Sequence, residues 1–254
     1  MFSLQGKTAL VVGIANEHSI AYGIAKALKD AGAELVLTYL NAKARPYVEP
    51  LAEALGAKLF MPLDVTNADQ QDALFAAISD TCGGVDIMVH SIAFCPAEDL
   101  HGRVTDCSRD GFLQAMDVSV HSFLRLIKAA EPLMPDGGTY MTVSYYGAEK
   151  VVDHYNIMGP VKSALESVTR YTAAELGPKG IRVHALSPGP LATRAASGID
   201  HFDQLLNDAA DRAPTHHLAT IEDVGACAAF LASDGAKNMT GGVHMIDGGY
   251  SILS

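Results

Sequence analysis

The chain has no uncharged apolar run of the ~18 residues that a membrane-crossing helix needs, so no membrane span is expected. It is short of positive charge. Lys and Arg number 18 against 29 Asp and Glu, a formal net charge of −11. A field of that sign disfavours nucleic acid and anionic membrane as partners, while a nucleotide held by local backbone donors stays compatible with it. Cysteine is sparse: Cys82, Cys95, Cys107 and Cys227 show no CxxC pair and no metal-ligand spacing. Free thiols in a reducing compartment are therefore predicted. His216 and His217 are adjacent and lack the i,i+4 spacing of a helical metal pair; they fit a surface loop, and no metal site is expected. The N-terminal MFSLQGKTALVVGIA has no basic segment followed by a cleavable apolar one, which points to the cytoplasm. There is no internal repeat, low-complexity linker or composition break, so residues 1–254 are expected to form one domain. Hydrophobic residues make up 49%, enough for a sizeable core.

What is present is alternation. Residues 8–13 (TALVVG) form a continuous apolar run, as in a parallel strand buried on both faces. A helix over 20–31 follows, with Ser19 as its capping candidate and Gly32 as its stop. Further strands are predicted at 34–39, 58–63, 86–90, 139–143, 181–186 and 243–247. Further helices are predicted at 44–55, where Pro46 and Pro50 weaken the pattern, at 68–82, through 108–134, around Lys162 to 176, and at 221–232. Thr220 and Asp223 suit a capping box for the last of these. About seven strands alternating with helices predict an α/β fold, a doubly wound parallel sheet with helices on both faces, Rossmann-like.

Ligands of such sheets gather beyond the carboxyl ends of the strands. The first strand delivers Gly13, Ser19 and Ile20. This turn is not GxGxxG, and it suits a structural turn as well as a phosphate site on free helix N–H groups. The second strand delivers Leu40, with Asn41, Lys43 and Arg45 nearby, which leaves both NADH and NADPH open. Asp64 and Val65 after the third strand suit an adenine pocket, or a cap for the following helix. The fourth strand brings Ser91 and Ile92, and the sixth opens a loop, 188–205, suited to a lid that excludes water. The fifth ends in Ser144 and Tyr145. Tyr155 and Lys162 follow, seven residues apart. On a helix that is about 10 Å along one face. Pro160 tolerates only the first turn, so the helix is expected to start near Ile157 with Tyr155 at its mouth. A core tyrosine and a solvated lysine would share this spacing; convergence of the strand ends favours a site.

These motifs carry a resemblance: Gly13-x5-Ser19-Ile20-Ala21-x-Gly23, Asp64-Val65, His90-Ser91-Ile92-Ala93-Phe94, Ser144-Tyr145, Tyr155-x6-Lys162, Ser187-Pro-Gly-Pro190 and Asp247-Gly-Gly249. The chain resembles the short-chain dehydrogenase/reductase superfamily and, within it, the enoyl-[acyl-carrier-protein] reductases of bacterial fatty acid synthesis, along essentially its whole length. Ordinary members use Tyr-x3-Lys; the wider spacing with a second tyrosine marks the enoyl reductases. The resemblance implies reduction of the trans-2 double bond of an enoyl thioester on acyl carrier protein, a cytoplasmic homotetramer, and NADH as cofactor with NADPH as the alternative. It implies that Gly13, Ser19, Ile20, Leu40, Asp64, Val65, Ser91, Ile92 and Lys162 hold the cofactor, with Leu191, Ala192, Thr193, Arg194 and Ala195. Lys162 would hold the nicotinamide ribose, Tyr155 would meet the thioester carbonyl, and Tyr145 would shape the site or assist protonation. Cys95 would touch substrate. Where relatives often carry glutamine the chain has Leu40, and the segment after the lid offers Asp200, His201, Asp203 and Gln204 in place of bases. The alternative activities are reduction of a ketone, oxidation of an alcohol, or reduction of an enoyl coenzyme A.

Overall fold

The computed structural model describes residues 3–191 and 202–253. Its strands are β1 (Thr8–Val12), β2 (Glu34–Tyr39), β3 (Leu59–Pro62), β4 (Ile87–His90), β5 (Gly138–Val143), β6 (Ile181–Pro188) and β7 (Val243–Ile246). They form one seven-stranded sheet in the order β3-β2-β1-β4-β5-β6-β7. Every pairing is parallel. The chain builds outward from β1 to β3, then returns to β4 on the other side of β1. The order reverses between β1 and β4, and the crevice beyond their carboxyl ends is the switch point where such sheets take ligands.

Side-chain alternation explains why β1 reads as a continuous apolar run. Leu10 and Val12 enter one apolar layer with Phe123, Leu126, Val161 and Leu165. Ala9 and Val11 enter the other with Ile24, Leu28, Val224 and Leu231. The first layer is covered by α3 (Ala68–Cys82), α5 (Arg109–Met116), α6 (Ser122–Ala130) and α7 (Met158–Leu176), and the second by α1 (Ile20–Asp30), α2 (Arg45–Ala54) and α9 (Ile221–Ala232). The short α4 (Ala97–Leu100) and α8 (Phe202–Arg212) complete the described helices. α1 and α9 approach closely because both present glycine: a Cβ on Gly23 would lie 2.3 Å from the Ile221 carbonyl oxygen, and one on Gly225 would lie 2.5 Å from that of Gly23.

Helices with a side-chain cap fall where the sequence places them. Asn67 accepts the Gln70 N–H at the start of α3, and Thr220 with Asp223 forms the capping box of α9. α2 forms despite its prolines, because Pro46 occupies its first turn and Pro50 lies on its exposed side. Two expectations need correction. Ser19 sits at the N-cap position of α1 but does not cap it: its Oγ accepts the N–H groups of Ala15 and Asn16, both at 3.0 Å, and so folds the preceding loop instead. The long helix over 108–134 is not uniform. A π turn, Asp117–His121, separates α5 from α6, and a 3₁₀ turn, Glu131–Leu133, ends it.

Candidate active site

Tyr145 follows β5 by two residues, and Tyr155 stands three residues before α7. α7 begins at Met158 with Ile157 at its N-cap, as Pro160 requires. The segment between carries backbone strain on both flanks of Tyr155: His154 has φ 63° and Asn156 φ 45°. Non-glycine residues avoid that region unless their surroundings hold them there. Asn156 is held by its side-chain amide, which donates to the Leu100 carbonyl at 2.8 Å. The two phenol rings meet edge to face, with centroids 4.8 Å apart. A glycine makes that contact possible: a Cβ on Gly147 would lie 2.5 Å from the Tyr155 ring and 3.2 Å from that of Tyr145.

The Tyr145 hydroxyl is fully buried and has no hydrogen-bond partner among the described residues. No hydrogen bond of the Tyr155 hydroxyl occurs among the described residues either. Burial pushes both phenols above their ordinary range; Tyr250 and Tyr146 add to the effect at Tyr145, and Tyr145 and Glu166 add to it at Tyr155. They stay protonated and are equipped to donate. Lys162 is 5% exposed. Its Nζ donates to the Val143 carbonyl at 2.7 Å. Burial pulls the ammonium down to about 8, and Glu166, one turn further along α7, opposes that. His90 lies beneath on β4, wholly buried, its ring nitrogens 3.0 Å from Thr142 Oγ1 and 2.8 Å from Ser122 Oγ. Burial and then the Lys162 charge hold it down to about 3, so it is neutral.

Ile92 and Cys95 pack into the same apolar layer as Tyr145 and Tyr155. The Cys95 thiol is pushed up to about 11 by burial, then by Cys107 and Asp99, so it presents a neutral apolar contact and not a nucleophile. Gly13 abuts Ser91 at the switch point, with φ 113° and room for no side chain, since a Cβ there would lie 2.1 Å from the Ser91 carbonyl oxygen. The N–H groups of Ile20 and Ala21 find no backbone partner at the start of α1. Asp64 is half-buried, and its Oδ1 accepts the Thr66 N–H at 2.9 Å and hydroxyl at 2.7 Å. It does not cap α3, because Asn67 already does. Leu40 stands 53% exposed at the end of β2. Beside it Arg45 pairs with Glu49 at 2.6 Å and lies over the Tyr39 ring. Leu191 is buried, and next to it opens a cavity of about 430 Å³ lined also by Glu17, His18, Leu206 and Glu222. Ala192, Thr193, Arg194 and Ala195 lie outside the described residues, as does most of the lid expected over 188–205.

The sequence reading missed what holds these groups. Ser119, in the π turn, binds the Phe94 backbone twice: its Oγ accepts the Phe94 N–H at 3.0 Å and donates to the Phe94 carbonyl at 3.1 Å. Arg125 donates from Nη2 to the Val65 carbonyl at 2.9 Å and from Nη1 to Asp117 at 2.5 Å. Through these bonds the helix braces both the Val65 loop and the start of the loop carrying Cys95. Arg125→Ala is expected to loosen the Val65 loop by about 1 kcal/mol, the worth of one hydrogen bond, and to lower the melting temperature by about 2–4 °C; an unchanged melting curve would contradict the brace.

A parallel sheet in this order, with a tyrosine pair and a lysine clustered near its switch point, defines a short-chain dehydrogenase/reductase. Comparison with known proteins narrows the class. The family model described as Enoyl-(Acyl carrier protein) reductase matches residues 13–251. Enoyl-[acyl-carrier-protein] reductase [NADH] 1 of Rhizobium meliloti is 47% identical, over 98% of this chain and 92% of that one. Among solved structures, the reductase of Anaplasma phagocytophilum in complex with NAD is similar, with TM-score 0.95 and 43% identity over 99% of this chain and 96% of that one. So is the Bacillus cereus enoyl-acyl carrier protein reductase with NADP+ and indole naphthyridinone, with TM-score 0.97 and 42% identity over 100% of each chain. The chain belongs to the enoyl-(acyl carrier protein) reductase family.

Proposed function

We propose that the protein reduces the trans-2 double bond of an enoyl thioester carried on acyl carrier protein, with NADH as reductant, at the last step of the fatty acid elongation cycle. The observation that carries this reading is the buried, unpartnered Tyr145 hydroxyl packed against Tyr155. An unsatisfied buried hydroxyl costs about 1–3 kcal/mol. A carbonyl oxygen that accepts from this hydroxyl removes that cost.

The residues present fit a dinucleotide. Free N–H groups at the start of α1 suit a diphosphate. Ser19 folds the loop ahead of them, and Gly13, Ser91 and Ile92 leave the crevice open to the nucleotide backbone. Val65 offers an apolar surface to adenine and Asp64 an acceptor to its amine. Leu40 offers no charge to an adenosine ribose at the end of β2; Arg45 is tied to Glu49 while Lys43 is exposed nearby, so the choice of NADH follows the cofactor named for the relatives and not this loop. Lys162 holds the nicotinamide ribose. When bound, NADH supplies the hydride that adds to the β-carbon of the thioester. Negative charge then gathers on the substrate's carbonyl oxygen. Tyr155 donates to that oxygen, Tyr145 shapes the site and assists protonation, and the Lys162 ammonium favours the charge in a dry cleft. Cys95 and Ile92 line the acyl path. Leu191, Ala192, Thr193, Arg194 and Ala195 are the remaining cofactor-binding residues of this reading.

In this reading the whole chain works as one reductase domain, in a cytoplasmic homotetramer. No described helix is long and apolar enough to cross a membrane. The test is NADH consumption with crotonyl thioesters on acyl carrier protein and on coenzyme A, and with a β-ketoacyl thioester. Turnover of the crotonyl carrier substrate supports the reading; turnover of the ketone instead overturns it.

A further inference from the structure

Glu166 follows Lys162 by one turn of α7 and is 4% exposed. Residues four apart on a helix are neighbours, so carboxylate and ammonium point to the same interior. A carboxyl is buried to that extent only with its acceptors in use. Here Oε1 accepts the Ser144 hydroxyl at 2.5 Å. Ser144 sits between Val143, whose carbonyl takes the Lys162 ammonium, and Tyr145. The other charged or titratable groups facing the pair are few. Burial raises Glu166 above the ordinary carboxylate range; the Ser144 hydrogen bond opposes that, Glu149 adds to it, and Arg170 and Lys162 favour the charged form, while Glu166 in turn acts on Tyr155. Neutral His90 faces Lys162 from β4.

We propose that Glu166 is a positioning residue: it holds Lys162 in its charged state and, through Ser144, fixes the strand end that carries Tyr145. The proposal rests on the reductase reading of the site. Its electrostatic sense follows from the neighbours. Burial disfavours the Lys162 ammonium, and Glu166 is the group that opposes this. Without the carboxylate, the ammonium gives up its proton at lower pH.

Glu166→Gln keeps the size and an acceptor oxygen and removes the charge. In protein labelled with ¹³C-lysine, the Lys162 ε-carbon, assigned with Lys162→Arg, is expected to titrate about one pH unit lower in the variant, roughly tenfold in the proton equilibrium. The alkaline limb of kcat/KM for a crotonyl thioester moves down with it. Glu166→Asp, which keeps the charge, leaves both near wild type. Should the Gln variant fail to fold by circular dichroism, Ser144→Ala replaces it as the probe of the latch, with kcat expected to fall about tenfold and the limb to stay in place. A Lys162 midpoint unmoved in Glu166→Gln, a shift as large in Asp as in Gln, or full kcat in Ser144→Ala would each overturn the proposal. If wild type turns over no enoyl thioester, the reductase reading fails, and the lysine titration still decides the role of Glu166.

Discussion

Tyr155→Phe is expected to lower kcat about a hundredfold or more while the Kd for NADH changes little. Removing one preorganised donor from a developing oxyanion costs about 3 kcal/mol. The donor acts on charge that appears during reaction, so the loss falls on turnover and not on binding of the reduced cofactor. Tyr145→Phe is the companion experiment. Its hydroxyl has no partner among the described residues, so its removal is expected to leave stability unchanged or raise it by about 1 kcal/mol. A structural tyrosine would behave the other way, losing a hydrogen bond and melting earlier. A panel of kcat, NADH affinity and melting temperature for both variants separates the cases. Equal losses in affinity and kcat at Tyr155, or a markedly lower melting temperature at Tyr145, would place these phenols in the scaffold.

Much of this arrangement can be read from the chain, for a physical reason. A strand buried on both faces is apolar at nearly every position, so Ala9 to Val12 of β1 announce themselves; β6 is less plain, because it buries His184 and Ser187 among its apolar residues. The order of the strands in the chain then dictates the switch point. α3 and α9 match the reading because their caps are local in sequence. What escapes the reading is decided by tertiary contacts. Nothing in the residues Asp117–His121 signals a π turn; its use is to aim Ser119 at the Phe94 backbone, 25 residues earlier. Arg125 looks like a surface cation until Val65 is folded beside it. Glu166 lies at helical spacing from Lys162, but an acid on a helix is ordinarily solvated, and only Ser144 reveals that this one faces inward. Ser19 has the sequence position of a cap, but the loop's own N–H groups reach its oxygen first.

Gly13→Ala is expected to cost more stability than any single hydrogen bond in the site, and to abolish tight NADH binding. Two penalties coincide at this position. The backbone has φ 113°, a conformation open in practice to glycine alone. Forcing another residue there costs about 1–3 kcal/mol. The added methyl would also overlap the Ser91 carbonyl, with its oxygen at 2.1 Å and its carbon at 2.7 Å, both backbone atoms that cannot swing aside. Overpacking of this kind adds about 1–3 kcal/mol. Each kcal/mol lowers the melting temperature of a chain this size by about 2–4 °C, so a fall of about 10 °C is expected. Relief requires the ends of β1 and β4 to part, and these frame the crevice that the cofactor enters. NADH affinity should therefore fall at least about tenfold, the equivalent of 1.4 kcal/mol. Gly177→Ala is the control, since a Cβ there meets nothing within 4 Å and its φ is −53°. Differential scanning calorimetry and an NADH titration on the two variants decide the matter. A Gly13→Ala protein that melts and binds like Gly177→Ala would show that the switch-point crevice tolerates a side chain and does not receive the nucleotide as described.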